Sequence, residues 1–137
     1  VLHDGDQVKL GDSVLVAHHT GGHTKGCTTW TMKVTEKGKN YNVVIVGGPY
    51  VNPGYKLVHN VEYPDIAKDY ENTFKILKSL PCDIFLGAHG GYFNLDKKYA
   101  LMKKDKTNPF IDPEGYKKFI AIKEQDFRSE LAKQKGV

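Results

Sequence analysis

The sequence has little cysteine and no long hydrophobic run. Its two cysteines, Cys27 and Cys82, are too few for a disulfide framework or a zinc ribbon, so we predict two free thiols. No apolar run approaches the roughly 20 residues that cross a membrane as a helix, which argues against a spanning segment. The start at Val1 has no Met, basic segment or apolar stretch, so any targeting signal is expected upstream or already removed.

The sequence also lacks long runs of residues with the same charge. The chain has 20 basic and 16 acidic residues, a net charge of +4. Its lysines lie among acids and apolar residues in "LDKKYALMKKDKT" and "EGYKKFIAIKEQDF", which is typical of solvated helix faces. A nucleic-acid binder would instead need a basic stripe with stacking aromatics. The 137 residues contain no repeat and no convincing linker, so residues 1–137 are predicted to form a single unit.

What is present begins with β-strands. "QVKLGDSVLVAH" predicts two strands around a Gly11-Asp12 turn, because a Gly-X pair between alternating apolar residues suits a two-residue hairpin. "TTWTMKVTEKGKNYNVVIVGG" predicts a second strand pair that turns near Gly38. In that pair Trp30, Met32 and Val34 are expected on one face, and residues 43–46 in a buried strand.

Helical spacing follows in "YPDIAKDYENTFKILKSL". Pro64 suits an early helix position, and one stripe of this helix holds Ile66, Tyr70, Phe74 and Leu77. "CDIFLGAHGG" returns to a strand. Asp112 and Pro113 predict an N-cap and the first position of a last helix. Its inward residues are predicted to be Tyr116, Phe119, Ile120, Phe127 and Leu131. The order predicts a layered α/β fold, strands first and then helix, strand and helices.

Two histidines share an unusual setting. His23 and His89 each follow an apolar strand and lie next to glycine, where backbone freedom and close approach allow a site. Two imidazoles can bind the same zinc ion, but catalytic zinc normally has three protein ligands, and no third ligand is evident in the sequence. An ordinary polar turn explains the same residues. The remaining histidines are predicted to be structural, at His18 and His19, or exposed, at His3 and His59; Trp30 and Phe85 are predicted to be core residues.

Four segments together resemble one family. They are "AHHTGGHTKGCTTWTM", "VVIVGGPYVNPGYKLV", "YPDIAKDYENTFKILKSLPCDIFLGAHGG" and "NPFIDPEGYKKFIAIKEQDFRSELAKQ". Over almost its whole length the chain is similar to the C-terminal half of a class B metallo-β-lactamase of the third subclass. The resemblance implies the second half of a four-layer αβ/βα sandwich with two zinc ions. The family's His-x-His-x-Asp-His motif belongs to the first half and is absent from this sequence.

The resemblance also implies residue roles. His23 would complete a three-histidine zinc site and His89 an Asp-His-His site, with the other ligands supplied by the missing first half or by a second chain. A hydroxide shared by the two zinc ions would attack the β-lactam carbonyl, and this reaction confers antibiotic resistance. Tyr55 matches a phenol near the developing oxyanion. The fragment alone is expected to be inactive, and the parent enzyme periplasmic or secreted.

Two positions depart from the family. Gly48 falls about where relatives carry a substrate-binding serine, so a hydroxyl is missing at this predicted substrate contact. Cys82 matches a cysteine that is disulfide-bonded in some relatives, but no cysteine follows it here. The family's bridge is therefore not expected.

Two alternatives remain at this point. Another hydrolase of the superfamily, such as a lactonase or thioesterase, would share the loop around His23. Those relatives usually place a bridging aspartate after the strand that is "VVIVGG" here, and no acid occurs there. A non-catalytic half-domain that needs a partner chain is the second alternative, since this sequence holds only part of a ligand set.

Overall fold

The computed structural model describes residues 1–104 and 106–137 as one sheet with helices on one face. The sheet has five strands that pair in chain order, antiparallel among the first four and parallel between the last two. The elements are β1 Gln7–Leu10, β2 Ser13–His19, β3 Thr28–Glu36, β4 Lys39–Val46, α1 Ile66–Ser79, β5 Ile84–Gly87, a 3₁₀ turn Gly90–Phe93, α2 Leu95–Lys104 and α3 Pro113–Lys135. The predicted α/β fold and element order are confirmed.

Both hairpin turns have the backbone that their residues allow. Gly11 has φ +57°, and Leu10 pairs directly with Ser13 across the first turn. In the second turn Lys37 has φ +50° and Gly38 has φ +77°, the two positive values of a type I′ turn. That turn is compatible with the right-handed twist of the flanking strands. Both predicted turns are confirmed.

The core lies between the sheet and the helices α1 and α3. Val44, Val46 and Phe85 point from the sheet into it, with exposures of 1% or less. The helices contribute the predicted stripe residues, among which Tyr70, Phe74, Leu77, Ile120 and Phe127 are all at most 1% exposed. Phe85 is therefore a core residue, as predicted. The apolar stripes predicted for α1 and α3 therefore agree with the observed packing.

The opposite face of the sheet, called the open face here, consists of Leu15, Trp30, Met32, Val34, Val43 and Ile45. Strand register places Trp30 beside Ile45 and Met32 beside Val43, as expected for one face. None of these residues belongs to the buried cluster between sheet and helices, although Val43 is itself only 4% exposed. Trp30 is only half-buried in this chain, so its prediction as a core residue is not confirmed here. The reason is that the helices cover the other face.

Two details of the helices differ from expectation. Pro64 lies in the turn before α1, which begins at Ile66, so it does not occupy a helix position. The predicted solvated face of "LDKKYALMKKDKT" is correct for most of α2, but Lys98 is only 7% exposed. Asp105, which falls in that stretch, lies outside the described residues.

Lys98 is buried because it pairs with Asp112 at the start of α3. The Lys98 Nζ lies 2.7 Å from one oxygen of Asp112, and the other oxygen accepts the Gly115 N–H at 2.9 Å. Burial raises the pKa of Asp112, but Lys98 and the Gly115 N–H outweigh it and lower that pKa below its usual value. Asp112 therefore both caps α3, as predicted, and neutralises a buried ammonium group.

Replacing Asp112 by alanine is expected to destabilise the fold by about 2–5 kcal/mol, since it removes a helix cap and leaves a buried charge without a partner. Because the pKa of Asp112 is lower in the folded state, its contribution is complete above the unfolded value of about 3.9 and is lost as the pH falls through the folded value. Urea denaturation at several pH values measures both effects. Asp112→Asn keeps the cap and loses only the charge.

The double variant Asp112→Asn with Lys98→Met is the control for the charge. It should be more stable than Asp112→Asn alone, because the buried ammonium group is gone. Equal stability of the two variants would show that the buried ammonium group costs nothing measurable when it has no charged partner.

Candidate metal site

His23 lies in a tight loop between β2 and β3. The loop is closed by hydrogen bonds from Thr20 N to Cys27 O at 2.9 Å and from Gly22 N to Thr24 O at 3.2 Å. Gly22 has φ +123°, and a Cβ at this position would lie 2.7 Å from the Tyr70 ring. A side chain beside His23 would therefore be both strained and blocked. This explains why a glycine precedes the histidine.

The His23 imidazole has one ring nitrogen in use. Its Nδ1 lies 3.0 Å from the carbonyl oxygen of Tyr50. A carbonyl only accepts, so Nδ1 carries the proton and donates, and the Nε2 lone pair is left for another partner. The same arrangement is usual for histidines that bind metals. The ring is half-buried, and it lies so close to Gly48 that a Cβ there would be 2.8 Å from the His23 Cδ2.

His89 reaches the same edge of the sheet by another route. It follows β5, and the neighbouring Ala88 N–H donates to Val46 O at 2.9 Å, which continues the β4–β5 pairing. Because parallel strands end at the same edge, Gly48 and His89 both leave the sheet there. His89 is exposed, and its ring lies 5.2 Å from the Tyr92 ring.

Tyr50 and Tyr92 connect the two histidines. The Tyr50 ring stacks on the Tyr92 ring at 5.1 Å. The Tyr50 carbonyl accepts the hydrogen bond from His23 Nδ1, and the Tyr92 ring contacts the His89 ring. Burial raises the pKa of Tyr92 above its usual range, so its phenol is neutral at ordinary pH. Sequence reasoning missed both tyrosines, because Tyr50 acts through its backbone carbonyl, which leaves no signal in residue type, and the ring contact of Tyr92 forms only in the folded chain.

Tyr55 and Gly48 were predicted as substrate contacts. The Tyr55 hydroxyl donates to the His23 carbonyl oxygen at 3.0 Å, so it braces the loop from the other side. Gly48 donates its N–H to the Cys27 Sγ at 2.9 Å and leaves no room for a side chain. Any contact of Gly48 with a ligand is therefore limited to its backbone. A cavity of about 550 Å³ lies beside these residues, with His23, Tyr55 and His59 in its wall.

The remaining histidines have other partners. His18 Nε2 is 2.8 Å from the Thr31 hydroxyl, and His19 Nε2 donates to Lys25 O at 2.6 Å. Both are satisfied within the sheet region, as expected for structural residues. His3 and His59 are exposed, as predicted.

The two cysteines are free thiols, as predicted. Burial, reinforced by the neighbouring Asp83 carboxylate, raises the pKa of Cys82 to about 12. Its thiol is therefore protonated and unreactive near neutral pH. Cys27 instead acts as a hydrogen-bond acceptor beneath the His23 loop.

Within residues 1–104 and 106–137, no group of three or more histidine, cysteine or acidic side chains is placed to hold a metal ion. The described chain thus offers single imidazoles and lacks a complete set of ligands. Strand β4 is followed by Gly47 and Gly48, so the acid typical of the lactonase and thioesterase relatives is missing there. No helix of the described residues is long and apolar enough to cross a membrane.

Comparison with solved structures gives close matches, although no protein-family model matches the chain. The native FEZ-1 metallo-β-lactamase from Legionella gormanii is 57% identical with a TM-score of 0.96, and the match covers 98% of this chain and 51% of that one. BJP-1, a subclass B3 metallo-β-lactamase of Bradyrhizobium japonicum, is 36% identical with a TM-score of 0.89, over 98% and 51%. The class B3 di-zinc enzyme LRA-12, from an Alaskan soil metagenome, is 29% identical with a TM-score of 0.85, over 94% and 49%. The chain spans about half the length of each enzyme.

Proposed function

We propose that this chain, which belongs to the class B3 metallo-β-lactamases and matches their C-terminal half, is the second half of a zinc enzyme that hydrolyses the β-lactam amide bond. The observation that carries the proposal is the His23 imidazole, whose Nδ1 donates to Tyr50 O, so that its Nε2 lone pair is available to a metal ion. The 57% identity to FEZ-1 supports the same reaction class.

Zinc fits the donors that this chain offers, because imidazole nitrogen is one of its preferred ligands. We assign His23 to one zinc ion and His89 to the other. The remaining ligands would come from a His-x-His-x-Asp-His segment outside this sequence, in the same protein or in a second chain. Zinc, when bound, would lower the pKa of a water molecule to roughly 7 and so supply a hydroxide nucleophile for the amide carbonyl at neutral pH.

The other residues of the site would orient the two histidine rings and assist the reaction. The Tyr50 carbonyl accepts the Nδ1–H of the His23 ring, and the Tyr92 ring packs edge-on against the His89 ring. Tyr55 would turn its phenol from the His23 carbonyl toward the oxyanion that forms on the substrate, a contact that helps only if it strengthens in the transition state. The cavity of about 550 Å³ beside Tyr55 is within the usual size of small-molecule sites.

The open face supports the need for a second half. It presents the apolar side chains of Trp30, Met32 and Ile45 outside the helix-covered core, and on the adjacent edge strand Leu10 is 83% exposed. An apolar surface of this kind marks a contact with another protein layer. We infer that the half carrying the other ligands covers it. Because β-lactams act outside the cytoplasm, we place the enzyme in the periplasm or outside the cell.

The proposal predicts that the full-length protein hydrolyses a chromogenic cephalosporin, loses this activity on chelation and regains it with zinc. The isolated 137 residues should show no turnover, because the described chain has no group of three ligands. Mixing the isolated chain with a separately produced first half should restore activity. Absorbance assays and zinc analysis by mass spectrometry measure these outcomes.

A His23→Ala version of the isolated chain is the control for the mixing experiment, and it should restore little activity. Turnover by the wild-type 137 residues alone would contradict the division of ligands between two halves. Faster hydrolysis of a lactone or thioester than of the cephalosporin would favour the other hydrolases of the superfamily.

A further inference from the structure

Tyr70 is a buried tyrosine of α1 whose hydroxyl group is directed at the candidate metal site. Its side chain is completely buried, and its hydroxyl donates to the carbonyl oxygen of Tyr50 at 2.5 Å. The same carbonyl oxygen accepts the Nδ1–H of His23 at 3.0 Å. One backbone oxygen is therefore shared by a core phenol and a candidate zinc ligand.

The shared carbonyl has a fixed direction because of Tyr70. Tyr50 lies in the loop after β4, outside any strand or helix that would orient its carbonyl. A carbonyl oxygen has two lone pairs, and Tyr70 and His23 occupy them. The Tyr70 ring is itself held by stacking on Phe127 at 5.1 Å and on Phe74 at 6.5 Å. The core thus sets the acceptor that His23 uses.

Tyr70 also contacts the His23 loop directly. A Cβ at Gly22 would lie 2.7 Å from the Tyr70 ring, so the backbone that precedes His23 rests on the face of this ring. Tyr70 therefore touches the backbone of the loop with its ring and reaches the imidazole through the Tyr50 carbonyl. Tyr70 thus contacts two different neighbours of His23, Gly22 and Tyr50.

We propose that Tyr70 is a positioning residue, which fixes the Tyr50 carbonyl so that His23 keeps its proton on Nδ1 and directs Nε2 to the metal. This inference rests on the proposed function of His23 as a zinc ligand. Outer partners of metal-bound histidines fix the ring orientation and the tautomer, and losing one typically weakens metal binding about 10–100-fold. Without the phenol, the Tyr50 carbonyl keeps one partner but loses its fixed direction.

The experiment compares Tyr70→Phe with Tyr116→Phe in the full-length protein. Tyr116 is a matched control, because it is also buried, at 4% exposure, and its hydroxyl donates to the backbone oxygen of Leu77 at 2.6 Å. Both variants lose one buried phenol hydrogen bond, so a similar loss of thermal stability is expected. Only Tyr70→Phe should weaken zinc binding, by about tenfold or more, in a competition titration with a chromophoric chelator.

A second measurement does not depend on zinc. Long-range ¹H–¹⁵N NMR of the metal-free protein reports which ring nitrogen of His23 carries the proton. We expect a single Nδ1–H form in the wild type and in Tyr116→Phe, and a mixture of tautomers in Tyr70→Phe. Unchanged zinc affinity together with an unchanged tautomer in Tyr70→Phe would overturn the inference, as would equal effects of the two variants.

The two proposals can fail separately. If His23→Ala leaves the zinc content unchanged, the proposed function of His23 is wrong, whereas the NMR measurement still decides whether Tyr70 sets its tautomer. If His23→Ala removes zinc and Tyr70→Phe behaves as Tyr116→Phe does, only the positioning role of Tyr70 is wrong.

Discussion

Replacing His23 by alanine in the full-length protein is expected to remove one of two bound zinc ions and to lower kcat/KM for a cephalosporin by at least about 100-fold. Losing an outer partner of a metal ligand already costs about 10–100-fold, and losing the ligand itself should cost more. The stability of the fold should change little, because the His23 ring is half-buried at the surface of a loop. Zinc analysis, steady-state kinetics and thermal denaturation measure the three quantities.

Two further histidines sharpen this test. His89→Ala should remove the other zinc ion, because His89 is assigned to the second site. His59→Ala is the control: His59 is exposed and borders the cavity beside His23, but it has no assigned metal role. Its zinc content should equal that of the wild type. If His23→Ala retained both zinc ions, His23 would be removed from the ligand set.

Replacing Gly48 by alanine, which adds a single methyl group, is expected to have the second largest effect on activity. A Cβ there would lie 2.8 Å from the His23 Cδ2, which is closer than real Cβ atoms approach other atoms, and 3.0 Å from its Cγ. The imidazole must therefore move. Misplacement of a catalytic group by about 1 Å can cost about 100-fold in rate, so Gly48→Ala should lower kcat/KM by about tenfold or more. Zinc affinity should fall with it.

Gly26→Ala is the matched control in the same loop region. A Cβ at Gly26 meets nothing within 4 Å, and its φ is not in the left-handed region. Its activity and zinc affinity should therefore match the wild type. Equal activity of Gly48→Ala and the wild type would mean that the His23 ring is not held against Gly48. A crystal structure of Gly48→Ala would then locate the imidazole.

Most of the secondary structure could be predicted because its causes are local. Alternating apolar residues and a Lys37-Gly38 turn define the second hairpin, and the stripe from Ile66 to Leu77 defines α1. Asp112 caps α3 through the Gly115 N–H, as its sequence pattern predicts. In each case the residues that decide the structure lie within a few positions of one another.

Predictions that depended on the third dimension were less successful. Trp30 has a large hydrophobic side chain, which is typical of a core residue, but it lies on the open face, because the helices pack on the opposite side of the sheet. Lys98 has a charged side chain, which is typical of a surface residue, but it is buried, because the fold places Asp112 where the two can form an ion pair. Charge and hydrophobicity set a preference for each residue, and the partner that satisfies it can be far away in sequence.

The sequence by itself determined the order of strands and helices, the glycine-bounded loop around His23 and the family of the chain, because these follow from local patterns and matching motifs. Only the tertiary structure decided how the imidazole is held. The Tyr50 carbonyl and the bare backbone of Gly48 lie against the His23 ring, and the Tyr70 hydroxyl donates to that carbonyl; these three residues are 25 to 47 positions away from His23 in the sequence. A backbone oxygen carries no residue identity, and a missing Cβ matters only where another side chain approaches it. Both effects exist only once the sheet and α1 have packed.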